Sequence, residues 1–104
     1  MKYDFVLTCR ACPEQYDVYD VNLKVAYVRM RWGWLRAYPY KPEIVQVKND
    51  WGETESDQEI DWDTIIYEQE FDDDLLGVLP DNERSVILAK IDDAIANYYN
   101  DKQP

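Results

Sequence analysis

The chain has 104 residues, with 22 Asp/Glu against 11 Lys/Arg, no histidine and 46% hydrophobic residues. That length supports one core and not two, and the apolar content excludes disorder even at a net charge of −11. The lack of histidine excludes His triads, His general bases and His-ligated metals within the chain, so carboxylates, Tyr, Lys and two Cys remain for any chemistry.

Met1-Lys2-Tyr3-Asp4 leads directly into alternating polar and apolar residues, so no secretory signal is expected. No apolar run approaches the roughly 20 residues that span a bilayer. A cytoplasmic protein is expected. Residues 2–10 place Tyr3, Phe5, Leu7 and Cys9 on one face, which predicts a half-buried strand. A turn at Ala11-Cys12-Pro13-Glu14 leads to a second strand at about 15–20, with Tyr16 and Val18 inward. Asn22-Leu23-Lys24 is expected to turn into a third strand at about 25–32. There Ala26, Val28, Met30 and Trp32 share one face, and Tyr27, Arg29 and Arg31 the other. Gly33 breaks that run, and Trp34–Tyr38 resumes it as a hairpin partner. Pro39 and Pro42 are expected to end the fourth strand, with Ile44–Lys48 as a fifth.

Residues 49–63 predict an acidic loop or edge segment. Ile65, Tyr67 and Phe71, with Gln69, predict a sixth strand; either a turn or bulge near Trp62–Thr64 separates it from the acidic run, or the acidic run is not a strand. A single C-terminal helix is predicted over about 82–99. Asp81 is its expected N-cap, with an apolar stripe of Ile87, Leu88, Ile91, Ala94, Ile95 and Tyr98; Lys90, Asp92, Asp93 and Asn97 lie opposite. Together these elements predict one α+β domain over 1–104: a twisted antiparallel β-sheet of five or six strands with one C-terminal α-helix packed on it.

Charge is the least evenly distributed property. Residues 1–48 hold eight basic and five acidic side chains, and residues 49–104 hold three and seventeen. No positive side chain lies between Lys48 and Arg84, while twelve carboxylates fall from Asp50 to Asp74. Such a field opposes folding through self-repulsion, and it suits solubility, steering of a cationic partner or exclusion of nucleic acid. In an extended segment Asp57, Glu59, Asp61 and Asp63 would share a face about 6.7 Å apart. Duplex DNA presents a comparably dense line of negative charge. Asp50, Glu53, Glu55, Asp57, Glu59, Asp61, Asp63, Asp72, Asp73 and Asp74 are therefore the candidate contacts to a basic protein surface.

Other candidates read as less specific. Cys9-Arg10-Ala11-Cys12 is a CxxC without a second ligand pair, so a zinc ion would have to be shared between two chains. The run from Asp57 to Glu68 has the length of a calcium loop but puts Trp62 where the sharp turn needs Gly. No metal and no cofactor is expected. Arg29, Arg31 and Arg36 with Trp32 and Trp34 form a cationic-aromatic face suited to holding a nucleotide or small phosphate. The same arginines can instead pair across strands with Glu68 and Glu70.

Cys12-Pro13-Glu14-Gln15-Tyr16-Asp17-Val18-Tyr19-Asp20, followed by Val25–Arg31, is similar to small uncharacterised proteins of bacterial and phage genomes. These carry a PEQYDV-type segment, a short turn, a strand with alternating Arg, a Tyr-Pro, acidic residues and a terminal helix. A Gly usual in that group is Ala26 here, and a frequent His-Gly is Trp32-Gly33. The phage association implies an accessory role against host machinery. The expected function is thus a small acidic, non-enzymatic binding protein, a phage- or prophage-type inhibitor that blocks a basic, nucleic-acid-binding surface of a host effector and does not bind nucleic acid itself. The alternative is a nucleotide or small-phosphate module using the Arg/Trp face.

Overall fold

Alternation of apolar and polar residues builds a curled antiparallel sheet in this computed structural model, which describes residues 1–10, 13–73 and 76–102 (side chains excepted at 42–45, 55, 56 and 102). The strands are β1 (Asp4–Cys9), β2 (Glu14–Asp20), β3 (Leu23–Arg31), β4 (Trp34–Lys48), β5 (Thr54–Ile60) and β6 (Tyr67–Glu70); helix α1 spans Arg84–Lys102. They pair in the order β1-β2-β3-β4-β5, with β6 also on β4. The predicted α+β architecture is the observed one.

One face of the sheet holds the core. Val18, Ala26, Val28, Met30, Leu35 and Ala37 are fully buried there against Ile91 and Ile95 of α1. Asp92 was expected on the outer side of the helix; it is instead buried, and its carboxylate accepts the backbone N–H groups of Lys2 (3.0 Å) and Tyr3 (2.8 Å). Those two amides precede β1 and have no strand partner, so the helix supplies the acceptors. Farther along the helix, Tyr99 donates to the Val25 carbonyl at 2.5 Å.

Several local expectations are corrected. The β2–β3 turn is Val21–Asn22, closed by Asp20 and Leu23, so Leu23 and Lys24 already belong to β3. Trp32 leaves the strand: it lies at φ 56°, with Gly33 at φ 76°, and the pair makes a two-residue hairpin turn closed by Arg31 and Trp34. Its ring is exposed and not on the core face. Leu7 is exposed rather than inward, because β1 is an edge strand whose register shifts between Leu7 and Cys9.

Neither proline ends β4. Pro39 stands opposite Ala26 at the end of the β3 ladder, where its missing N–H is not needed, and its carbonyl accepts the Asp61 N–H at 2.9 Å. Position 42 falls inside the register shift between Tyr40 and Ile44, a bulge that absorbs it. Asp81 does not cap α1. The Glu83 carbonyl accepts the first helical bond from Ile87, and the Asp81 carboxylate takes Nη1 of Arg84 at 2.5 Å.

The β3–β4 ladder stops at Ala26 and Pro39, and beyond it β4 and β5 continue as a two-stranded arm over residues 41–60. The radius of gyration, 14.7 Å, exceeds the about 13 Å of a compact chain of this length. Among the described residues no helix is long and apolar enough to cross a membrane.

Candidate functional site

Two surfaces carry the residues singled out above: the arm, and the sheet face turned away from α1. The arm begins with the β4 bulge and ends in a turn built by Asn49. Its side-chain carbonyl accepts the N–H groups of Trp51 (3.0 Å) and Glu53 (2.9 Å), and its own N–H reaches the Glu53 carbonyl at 2.9 Å. Gly52, at φ 78°, completes the turn in a conformation that costs other residues strain. The result holds Trp51 at the tip with 85% of its surface exposed. Trp51 was not anticipated, although an Asn followed three residues later by Gly is a turn signal.

The acidic stretch 49–63 is an edge strand over Thr54–Ile60 between two turns. In register with β4, positions 55, 57 and 59 alternate on one face, opposite Val47 and Val45 for the first two. The row ends there. Asp61, expected to extend it, shapes the following turn: its carboxylate accepts the Asp63 N–H (3.2 Å) and the Thr64 hydroxyl (2.9 Å), and its carbonyl faces the Thr64 N–H. This is the turn expected before β6.

Asp50, Glu53, Asp57, Asp63 and Asp72 are exposed and make no ion pair among the described residues. Glu59 is exposed and lies 3.8 Å from Lys41. Asp73 is exposed too; Asp74, Cys12 and the side chain of Glu55 lie outside the described residues. An open groove of about 460 Å³ runs along the base of the arm between Tyr40, Lys41, Asp57, Glu59 and Trp62. There Tyr40 donates to Asp17 at 2.7 Å; burial, then that bond, pushes its phenol well above the usual tyrosine range.

On the sheet face opposite α1, Arg29 stands opposite Arg36 and Tyr27 opposite Tyr38. Trp62, delivered by the turn after β5, folds over them. Its ring meets Tyr27 at 5.7 Å and Tyr38 at 5.0 Å, both edge-on, with the Arg29 guanidinium 5.4 Å from its centre. Arg31 lies 5.4 Å from the Trp32 ring and Arg36 4.7 Å from that of Trp34. Arg36 also donates through Nε to Glu68 at 2.7 Å, the cross-strand pair considered above, which raises the pKa of the guanidinium. Each ring that a stacked base would need is thus already faced by an arginine of the same surface. The role of Trp62 was not read from the sequence, since nothing local shows that an acidic turn will fold back across a basic sheet face.

A third constellation is buried and structural. Glu14, 2% exposed, accepts Arg84 Nε and Nη2 (both 2.9 Å), the Leu79 N–H (3.1 Å) and the Tyr16 hydroxyl. Burial alone would raise its pKa, but the bonds from Arg84, Tyr16 and Leu79 outweigh that and hold the carboxyl below the ordinary glutamate value. Burial and the bond to Glu14 push Tyr16 up to about 12. Such perturbed groups can mark a catalytic site. Here every polar atom is engaged and the pair pins the start of α1 to β2, so the arrangement reads as a fastening.

Among the described residues no group of three or more His, Cys, Asp and Glu side chains converges as a metal site. No family model, curated protein or solved structure matches the chain.

Proposed function

We propose that the chain is a non-enzymatic binding protein, a phage- or prophage-type inhibitor that covers a basic, nucleic-acid-binding surface of a host effector in the cytoplasm. The observation that carries this reading is the arm: a two-stranded projection whose residues from 49 to 60 include five carboxylates and no cation, with an exposed Trp at its tip. Carboxylates at alternate positions of a strand present charge at a spacing of about 6.7 Å on a stiff support. Among the described residues Asp50, Glu53 and Asp57 make no ion pair. Trp51 supplies what charge alone lacks, because large aromatic anchors dominate protein interfaces. The phage-type role is supported by the resemblance of the N-terminal strands.

Affinity capture from host extract, followed by Asp50→Lys, Glu53→Lys, Asp57→Lys and Glu59→Lys in one variant, tests the proposal. The expected partner is basic, binds nucleic acid, competes with duplex DNA and is released as salt rises, because exposed charges act over a Debye length of about 8 Å at physiological ionic strength. A partner that survives both high salt and the four reversals excludes the mechanism.

A further inference from the structure

The arm has two outer main-chain edges, and they are guarded differently. Strand β4 pairs with β3 only from Trp34 to Pro39, and the stretch 41–48 beyond that ladder includes Lys41, Pro42 and Lys48 in its sequence, together with the bulge at 40–44. Lysine, proline and bulges are the usual means by which proteins keep an edge strand from pairing with another chain. The opposite edge of the sheet, β1, has its own register shift between Leu7 and Cys9. Strand β5 has none of these. Its register with β4 runs unbroken from Gln58 to Thr54, it contains no Pro, Lys or Arg, and among the described residues no strand lies along its outer side. Every second N–H and C=O of a strand faces away from its single partner, so this edge offers a row of main-chain donors and acceptors.

What guards β5 is negative charge, together with the Asp57 carboxylate, which accepts the Gln58 N–H at 2.8 Å and would have to release it to an incoming strand. Paired with another copy of itself, it would set Asp and Glu against Asp and Glu, and like charges placed opposite each other are unfavourable. The same side chains favour a strand with Lys or Arg at alternate positions. We infer that the outer edge of β5 accepts an extended basic segment of a partner protein by strand addition: main-chain bonds supply the contact, and Asp57 and Glu59 select for alternating cations. This deepens the proposed function and rests on it, since it names the form in which a basic partner meets the arm.

The probe is a capped ten-residue peptide alternating lysine and valine. Its control is the same peptide with alternate backbone nitrogens methylated, prepared in both phases. All keep the charge, and one phase loses the donors that face β5. Titrated into the isotope-labelled full chain, the unmodified peptide should shift alternate amides within 54–60 and slow their hydrogen exchange. The methylated phase that faces the edge should bind about tenfold or more weakly, since each of several lost main-chain bonds counts for a few-fold. Asp57→Asn with Glu59→Gln should weaken the unmodified peptide and flatten its salt dependence.

Equal binding of all the peptides overturns strand addition and leaves the acidic-surface reading standing. So do shifts confined to the Arg/Trp face or the turn at 49–53. Absence of binding also overturns strand addition, while the capture experiment above decides separately whether the arm meets a basic partner at all.

Discussion

Replacing Arg84 with Met tests the fastening between β2 and α1 most directly. The substitution keeps most of the side-chain volume and removes the guanidinium that gives Glu14 two hydrogen bonds of 2.9 Å. Glu14 is 2% exposed, so its carboxylate would stay buried with only Tyr16 and the Leu79 N–H. Breaking one side of a buried ion pair costs about 3–5 kcal/mol. The Arg84 side chain is 29% exposed, so water reaches the vacated side and the lower end, about 3 kcal/mol, is expected. With a urea m-value of about 1.5 kcal/mol/M, the midpoint should fall by about 2 M.

The pH dependence gives a second readout of opposite sign. In the parent chain the Glu14 pKa is lowered below its ordinary 4.5, so its contribution is present above that value and is lost as pH falls through the lowered one. Without Arg84 burial dominates and raises the pKa of the same carboxyl, so protonation relieves the variant and its deficit shrinks as pH falls from 7 towards 4. Subtracting the two curves cancels the exposed carboxylates common to both. A loss below about 1 kcal/mol with a deficit independent of pH would refute the assignment of Arg84 as the partner that makes Glu14 tolerable in the core.

Three further outcomes are expected. Asp57→Asn with Glu59→Gln should change stability by no more than about 0.5 kcal/mol each, whereas Asp61→Ala should cost about 1 kcal/mol or more because it strips the turn of two hydrogen bonds; thermal melts separate them. Trp62→Ala should lose about 2 kcal/mol in urea unfolding, from two edge-on ring contacts and one cation–π contact at a half-exposed position. Val21 sits at φ 59° with 80% of its surface exposed, so Val21→Asn should raise stability by about 1 kcal/mol, and an unchanged midpoint would count against strain at that turn.

The sequence by itself determined the faces. Alternation put Ala26, Val28 and Met30 on the core side of β3 with Arg29 and Arg31 opposite, and three-to-four spacing marked Ile87, Leu88, Ile91 and Ile95 as the buried stripe of α1. Both are local consequences of backbone period, which neighbouring residues alone reveal. The uneven charge was likewise legible, because it is a count. Tertiary structure decided everything that depends on what lies across the fold. Asp92 has the sequence context of a surface carboxylate, yet it is buried because the unpaired amides of Lys2 and Tyr3 arrive beside it from 89 or more positions away. Glu14 and Arg84 meet across 70 residues. Strand β4 passes two prolines because its ladder with β3 ends where the first one stands and a bulge takes up the second. Whether the acidic run became loop or strand depended on residues 44–48 offering it the same edge of β4 that β6 takes farther along, the edge opposite the one held by β3.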